Sequence, residues 1–461
     1  MKLPFLGISI LLILVLGSCR KDRLTTKGAD KLSFSTDTLA FDTVFTSLGS
    51  DTRYFKIYNP HSQSIRISSL KLGGGSSSFF RLNVDGVPTK GELNNLVIAP
   101  HDSMYVFAAL TINPDNADNP FVVEDSVVFV TNGNSQKVLL LAYGQNAHFY
   151  YSQTIGSQTW NPDKPYVVIN TLEVPAGSTL TIQPGCRIFM HAGAILQVDG
   201  TLRIMGMPHD SIVFRGDRLE YYYVDLPGNW GTIWLRSGSQ QNEIHNAIIK
   251  EATVGVRVDG PPVDASPWKL QMSQTVINYC LSDGILGVTA SLRAENCLVI
   301  NCGENVVRME LGGVDSFIHC TLADFSNVVI NHQKPVLRAS NYYEAGSAYF
   351  LDTLHLDFVN CILYGGLEEE LSLDSSTLAQ AVFHCNFDHC FLRSKHQIVP
   401  PAYLVCNNNI DPLFQDVSKD NYHLSTGSPC HGAGDPAFSL PFDLDNNPRS
   451  GLPDAGCYRA P

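Results

Sequence analysis

The sequence has few charged residues and no excess of positive ones. Asp, Glu, Lys and Arg make up 16% of its 461 residues, and the formal net charge is −13. Proteins that hold nucleic acids or other polyanions by bulk electrostatics need a positive surface, so this composition argues against that class. We expect neither a nucleic acid nor a nucleotide as a partner. An acidic polysaccharide would need a local cluster of Arg and Lys, or a metal.

The sequence also lacks an apolar run at its start that is long enough to span a bilayer. Residues Leu3 to Leu16 are apolar but fall short of the roughly 20 residues that a spanning helix needs. A basic residue followed by a short apolar run is typical of a signal peptide. The run ends in Leu16-Gly17-Ser18-Cys19, which resembles the lipobox of bacterial lipoproteins. That resemblance implies cleavage after Ser18 and a lipid on Cys19.

We therefore predict a signal peptide over residues 1–18 and a polar tether over 19–30. Arg20 stands where many Gram-negative lipoproteins retained in the inner membrane have Asp. This favours a protein anchored to the outer membrane by lipid, on either the cell surface or the periplasmic face. The membrane would then be a partner through the anchor. Ordinary secretion, with cleavage at the small residues, is the alternative.

Residues 31–147 show no helical periodicity. Short alternating runs recur, and Thr131-Asn132-Gly133-Asn134 between two of them is a strong hairpin signal, because Asn and Gly tolerate positive φ. This pattern predicts an antiparallel β-sandwich. The order of Tyr58-Asn59-Pro60, Leu96 to Pro100 and Leu139 to Gly144 resembles immunoglobulin-like domains of the ASPM/SPD-2/Hydin type. The resemblance implies a domain that spaces, docks or binds.

Residues 148–461 have the pattern of a repeat protein. Short strands recur at intervals of roughly twenty to thirty residues, which indicates coils stacked on one another. Two columns of small apolar residues align, as the interior of a right-handed parallel β-helix requires. The first holds Ala247, Thr275, Cys297, Cys320, Cys361 and Cys390, and the second holds Ala252, Cys280, Cys302 and Phe325.

The end of the chain, from Asp411-Pro412 to Cys457-Tyr458, resembles the terminal segment of many bacterial β-helix proteins, and we expect it to form a C-terminal cap. The predicted fold is thus all-β, with an immunoglobulin-like sandwich followed by a right-handed parallel β-helix. The combination resembles Bacteroidota lipoproteins that pair these two domains. The resemblance covers nearly the whole mature chain and implies no particular activity.

The sequence contains 12 cysteines, so 11 remain once Cys19 carries lipid. Disulfides are permitted in an exported protein. His384-Cys385 and His389-Cys390 also have spacing suited to zinc. The alignment of the cysteines in columns instead indicates that they are small hydrophobic residues stacked in the interior. The odd number of cysteines agrees with this, because at least one of them cannot form a disulfide.

Four residues near the C-terminus match part of a calcium-loop template. Asp443, Asp445, Asn447 and Asp454 occupy positions 1, 3, 5 and 12. Pro448, however, stands where the template has Gly. No cofactor is required by the sequence, and Ca²⁺ is the one that it leaves open.

One segment combines aromatic rings with paired charges, which suits contact with carbohydrate. Its candidate contact residues are Arg218, Tyr221, Tyr222, Tyr223 and Trp230. A loop packed against its own coil would have the same composition. Asn341-Tyr342-Tyr343-Glu344 is a second such segment.

Catalytic signatures of polygalacturonase-like hydrolases, such as Asn-Thr-Asp or Gly-His-Gly, are missing. A polysaccharide lyase would need basic groups that converge on a uronate. The candidates are Lys250, Arg257, Arg293, Arg308 and Lys334, and ordinary surface charge is the favoured explanation of all five. We therefore expect a lipid-anchored envelope protein that binds a polysaccharide or acts as a scaffold without catalysis. The alternative is a polysaccharide lyase or glycosidase acting on an extracellular glycan.

Overall fold

The computed structural model describes residues 23–113, 121–346, 348–376, 381–395 and 402–461. Two compact units divide the chain, Met1–Asn146 and Ala147–Pro461. The described residues form strands, turns and short 3-10 helices, which confirms the all-β prediction. Within them no helix has the length and apolar character needed to cross a membrane. The signal peptide, Cys19 and the start of the tether lie outside the described residues.

The first unit contains two five-stranded sheets, in the orders β1-β3-β8-β5-β6 and β2-β10-β9-β4-β7. Burial alternates along β4 on either side of a register shift between Ile67 and Ser69, and its buried side chains enter one apolar core that both sheets share. The immunoglobulin-like topology stays a prediction. The strands are β1 (Ser33–Phe34), β2 (Thr38–Phe45), β3 (Arg53–Tyr58), β4 (Ile65–Leu72), β5 (Phe80–Val84), β6 (Val87–Thr89), β7 (Leu93–Ile98), β8 (Ser103–Leu110), β9 (Phe121–Thr131) and β10 (Asn134–Gln145).

The second unit is built on a 26-stranded parallel sheet in which each strand pairs with its equivalent one coil later, as in a parallel β-helix. Its strands are β11 (His148–Thr154), β12 (Gln158–Trp160), β13 (Tyr166–Val174), β14 (Thr179–Ile182), β15 (Arg187–Met190), β16 (Ile195–Val198), β17 (Thr201–Met205), β18 (Ile212–Gly216), β19 (Thr232–Leu235), β20 (Asn242–His245), β21 (Ala247–Lys250), β22 (Val256–Asp259), β23 (Leu270–Ser273), β24 (Val276–Cys280), β25 (Ile285–Glu295), β26 (Leu298–Cys302), β27 (Val307–Ile318), β28 (Thr321–Asp324), β29 (Leu337–Ser340), β32 (Leu354–Val359), β33 (Ile362–Gly365), β34 (Leu371–Asp374), β35 (Phe383–Asp388), β36 (Phe391–Leu392), β37 (Tyr403–Leu404) and β38 (Asn407–Asn408). Two separate pairs complete it, the hairpin β30 (Tyr342–Ala345) and β31 (Ala348–Leu351), and β39 (Phe414–Asp416) with β40 (Asn421–Leu424).

The parallel pairings define three faces. Face A contains the first parts of β11 and β13, then β15, β18, β21, β24, β26, β28, β33, β36 and β38. Face B contains the second parts of β11 and β13, then β16, β19, β22, the first parts of β25 and β27, β29 and β34. Face C contains β12, β14, β17, β20, β23, the second parts of β25 and β27, β32, β35 and β37.

The corner between faces C and A explains the cysteine column. Each column residue follows one with positive φ, such as Asn296, His319 or Asn360, so the chain turns there and directs the next side chain inward. The register stacks the column as the alignment predicts, and Cys280 lies over Cys302 in the second column. The 11 cysteines of the described residues are free thiols, and all but Cys406 are buried.

The C-terminal segment, residues 411–461, covers the side of the β-helix along face A. Tyr422 and Cys457 pack with Leu298 and Ile300, and Leu424, Cys430 and Ala455 pack with Ile362, Tyr364 and Phe391. This segment is thus a lateral cover over several coils, and the predicted C-terminal cap stays a prediction. Its apolar side chains match an outer surface of face A that is itself apolar.

Candidate functional site

The five basic residues considered for a lyase are distributed over different sides of the β-helix. Lys250 ends a strand of face A, where its Nζ lies 2.5 Å from Asp225 Oδ1 and 3.4 Å from Glu251 Oε1. Arg257 and Arg308 lie on face B, Arg293 lies on face C, and Lys334 is exposed in the loop after β28. The structure does not bring these five groups together.

Each of the three arginines already has a carboxylate two residues along its own strand. The closest nitrogen–oxygen distances are 2.9 Å for Arg257–Asp259, 2.7 Å for Arg293–Glu295 and 2.5 Å for Arg308–Glu310. Residues i and i+2 of a strand point to the same side, so the pattern Arg-x-Asp/Glu predicts this pairing from sequence alone. An arginine paired in this way is a poor partner for a uronate carboxylate.

The aromatic segment at 218–230 lies in the loop between β18 and β19. Tyr221 and Tyr222 are 85% and 84% exposed, whereas Arg218 pairs with Glu220 and its guanidinium lies 4.1 Å from the ring centroid of Tyr223. Trp230 is fully buried, and its Nε1 donates to the carbonyl of Lys250 at 2.8 Å. Trp230 is therefore a core residue, and Tyr221 and Tyr222 are the most exposed of the five candidates.

The four calcium candidates do not form a cage of oxygen ligands. Asp443 accepts hydrogen bonds from the backbone N–H groups of Asn447 and Arg459, and Asp454 accepts from those of Gly432 and Ala460. The carboxylate of Asp445 lies 2.7 Å from His423 Nε2 instead. Asp443 and Asp454 thus stabilise the turns of the C-terminal segment.

A different group could hold a metal. Among the described residues, Asp388, His389 and Asp435 are the one set of three His, Cys, Asp or Glu side chains whose ligand atoms all lie within 4.8 Å of one another. Asp388 and His389 lie at the end of β35, and Asp435 lies in the C-terminal segment. The zinc-like spacing of His384-Cys385 leads to no shared site, because Cys385 is buried and His384 points outward.

A concave feature of the second unit lies at the corner between faces B and C. We call it the corner groove. It has a volume of about 380 Å³, and its floor is formed by residues 289–291 together with Gly313 and Val314. One wall is the loop 260–269, and the other is the base of the insertion 341–353, which carries the hairpin β30–β31.

The corner groove arises because the connections between face B and face C differ in length from coil to coil. Strands β25 and β27 turn from face B to face C almost without a loop, using positive φ at Thr289 and at Leu311 to Gly313. The coils before and after them have the long connections 260–269 and 341–353. The two walls therefore stand about 14 Å apart, which is three strand spacings. Glycine is required at 313, since a Cβ there would lie 2.5 Å from the carbonyl oxygen of Ala290.

The groove combines apolar surface with a few fixed polar groups. Pro261, Pro262 and Pro267 form part of one wall. Within the same wall, Asp264 accepts from Gln241 Nε2 at 2.6 Å, and from the backbone N–H of Ser266 at 3.0 Å. The hydrogen bond from Gln241, with others from Ser266, lowers the pKa of Asp264.

The opposite wall contributes Asp352 and His355, both exposed. A backbone hydrogen bond from Thr353, at 2.7 Å, orients the Asp352 carboxylate. The ring of His355 stacks on that of His384, with centroids 5.1 Å apart. The adjoining hairpin has exposed rings at Tyr343, Tyr349 and Phe350.

A buried acid lies beneath the floor. Asp315 is 1% exposed, its Oδ1 accepts from the backbone N–H of Leu292 at 3.0 Å, and its Oδ2 has no hydrogen-bond partner. This Oδ2 is 3.0 Å from the point where a Cβ on Gly313 would stand. Burial raises the pKa of Asp315 to about 8.

The sandwich has grooves of about 470, 340 and 490 Å³, whose charged lining residues are Arg81, Glu124 and Asp125. Asp125, which lines two of them, accepts from the backbone N–H groups of Gly74 and Ser126. Arg81, in the third, donates to Thr111 Oγ1 at 3.0 Å. The corner groove is distinguished from these by carboxylates on two facing walls.

Sequence reasoning missed the corner groove, although two signals point to it. Gly312-Gly313 marks a place where side chains do not fit, and Pro261-Pro262 with Pro267 marks a rigid insertion. The segment 341–344, predicted as a weaker carbohydrate contact, begins the insertion that forms one wall.

No family model matches the chain, and no curated protein matches it either. Among solved structures it is similar to the catalytic unit of a GH87 α-1,3-glucanase from Streptomyces thermodiastaticus, with 11% identity, a TM-score of 0.30, and coverage of 73% of each chain. A family 123 glycoside hydrolase from Clostridium perfringens aligns with 10% identity and a TM-score of 0.19, over 26% of this chain and 30% of its own. The ASH/PapD-like domain of human CEP192 aligns with 13% identity and a TM-score of 0.17, over 28% of this chain and 94% of its own. Similarities this weak carry no argument about fold or function.

Proposed function

We propose that this protein is a lipid-anchored envelope protein that binds a glycan in the corner groove without cleaving it. The observation that carries the proposal is the groove itself, an open channel between two insertions whose polar groups are held in place. Leu16-Gly17-Ser18-Cys19 supports the anchor and an outer-membrane location.

The lining suits a sugar ring better than a purely apolar ligand. Carboxylate, hydroxyl and imidazole groups can exchange hydrogen bonds with sugar hydroxyls, while proline and valine surfaces pack against the C–H face of the ring. A volume of about 380 Å³ falls in the range of small-molecule sites. Because the groove is open, a chain of sugars can extend beyond it toward the aromatic hairpin.

Filling the groove tests this proposal. Val314 lies on the floor with 48% exposure, and Val97 in the sandwich has the same exposure, so it offers a matched control. The protein from residue 20 onward would be screened against neutral, amino and acidic polysaccharides by affinity electrophoresis. We expect Val314→Trp to weaken retention at least tenfold and Val97→Trp to leave it unchanged. Equal retention by both variants, or no retention of any glycan, would contradict the proposal.

A second candidate function, glycoside hydrolysis, is favoured by one observation. Asp315 has a pKa raised to about 8, while Asp264 in the wall above has a lowered pKa. Carboxyl groups whose environments separate their pKa values are suited to act as acid and base. Release of reducing ends from a retained glycan, abolished by Asp315→Asn, would establish the enzyme. Asparagine preserves the acceptor for Leu292 N–H, and thermal denaturation of the variant would check that it folds.

A further inference from the structure

The titratable groups that line the corner groove are two carboxylates and one imidazole. Asp264 and Asp352 belong to opposite walls, and no Lys or Arg is among the lining residues. A ligand in the groove therefore lies between two carboxylates, in a channel without a guanidinium or ammonium group to offset them.

Nearby cations are directed elsewhere. Lys269, at the end of the loop that forms one wall, is fully buried beneath it and donates to the carbonyls of Asp259, Ser237 and Arg236 at 2.7, 2.8 and 3.1 Å. Arg293, which follows the floor along face C, pairs with Glu295. Neither charge is available to a ligand carboxylate.

The carboxylate of Asp264 is also fixed in position. Three hydrogen bonds, from Gln241 Nε2, Ser266 N–H and Ser266 Oγ, hold it in the wall and favour its charged form. A carboxylate held in this way can pair with a cation without losing further side-chain freedom.

We propose that the corner groove selects glycans that contain amino sugars with free ammonium groups, and that it excludes uronates and sulfated sugars. This inference rests on the proposed function and adds the class of ligand. An ammonium group between the walls gains from both carboxylates, whereas a carboxylate or sulfate is repelled by them. The charge of the groove is thus opposite to that which a pectate- or alginate-type ligand requires.

Three hexasaccharides provide the test. At pH 6 and low salt, binding of a glucosamine hexamer, an N-acetylglucosamine hexamer and an oligogalacturonate would be measured by calorimetry. We expect the glucosamine hexamer to bind about sevenfold more tightly than its neutral analogue, from two unit charges at about 7 Å in a water-like dielectric. The preference should shrink in high salt because the site is exposed to solvent.

The double variant Asp264→Asn with Asp352→Asn should abolish the preference while it retains the neutral hexamer. The matched control is Asp37→Asn with Asp85→Asn, which changes the net charge equally at exposed sites of the sandwich. Stronger binding of oligogalacturonate, or a preference that survives in the double variant, would overturn the inference and leave glycan binding intact. If none of the three hexasaccharides binds and the polysaccharide screen is also negative, the proposed function itself fails.

Discussion

Face A and face B share one interior but have opposite exteriors. The outward side chains of β26, β28 and β33 on face A include Leu298, Ile300 and Tyr364, all buried beneath the C-terminal segment. The equivalent positions of face B include Arg257 and Arg308, which lie at the surface beside their own carboxylates. The stacking of coils therefore determines only which inward-facing side chains are apolar. Whether the outward-facing side chains are apolar depends on whether another segment covers that face.

The difference appears in the sequence of single strands. β26 is buried at all five of its residues, as a strand covered on both sides should be, whereas β22 alternates between buried and half-buried residues. A continuous apolar strand in a β-helix thus indicates that another segment of the chain lies over it.

Among the substitutions that test the difference between face A and face B, the largest loss of stability is expected at Tyr422. This side chain of the cover is 1% exposed and packs in a cluster with Leu298 and Ile300 of face A. Tyr422→Ala should lower the free energy of unfolding by about 3–5 kcal/mol, as large-to-small changes of buried aromatic residues do. Urea denaturation of the full chain would measure it.

Two controls sharpen the result. Tyr422→Phe should cost little, because the hydroxyl of Tyr422 is buried without a hydrogen-bond partner. Leu286→Ala, an outward and half-buried position of face B, should cost less than about 1 kcal/mol. Equal losses at Tyr422 and Leu286 would contradict the view that only face A is a covered surface.

A smaller and pH-dependent effect is expected at the corner between the two faces. His332 is buried there, with its Nδ1 3.2 Å from Asp324 Oδ2 and its Nε2 3.0 Å from Glu370 Oε1. Burial alone would lower the pKa of His332, but the neighbouring carboxylates of Asp324 and Glu370 raise it to about 9. The charged imidazole therefore links the end of a face A strand to the start of a face B strand.

Because the folded-state pKa of His332 is raised, its stabilisation is complete below pH 6.5 and is lost as the pH rises through about 9. The shift corresponds to at most about 3 kcal/mol. Thermal denaturation from pH 6 to pH 10 should show this loss. The variant His332→Gln should be less stable than the wild type at pH 6 and should lose less stability above pH 8, which is beyond the pKa of about 8 of Asp315. A variant that kept the wild-type slope would exclude His332 as its source.

The interior could be predicted from the sequence with good accuracy, because each coil repeats the same requirement. The column from Cys297 to Cys390 follows from small residues placed directly after a turn residue, and local sequence contains both. The ion pairs of face B are equally local, since Arg257 and Asp259 are two residues apart on one strand.

The corner groove and the cover could not be predicted in the same way, because both depend on distant segments. Asp264 and Asp352 line one groove only because the coils between them turn without loops. Tyr422 reaches Ile300 across more than a hundred residues, and nothing near either residue specifies the other. Trp230 shows a different error of sequence reasoning. It is predicted to contact carbohydrate because it follows a run of tyrosines, but its side chain is buried in the core.

The smallest loss of stability is expected from a substitution on face B. The Arg257 side chain is 36% exposed and lies 4.6 Å from the ring centroid of Trp234, beside Asp259. Exposed ion pairs contribute little, so Arg257→Ala should lower the free energy of unfolding by less than about 1 kcal/mol, and by less again in high salt. Urea denaturation at two salt concentrations, with Arg257→Lys alongside, would separate lost charge from lost packing on Trp234. A loss above about 2 kcal/mol would mean that face B is covered by a partner or a second layer, because only desolvated pairs cost so much to break.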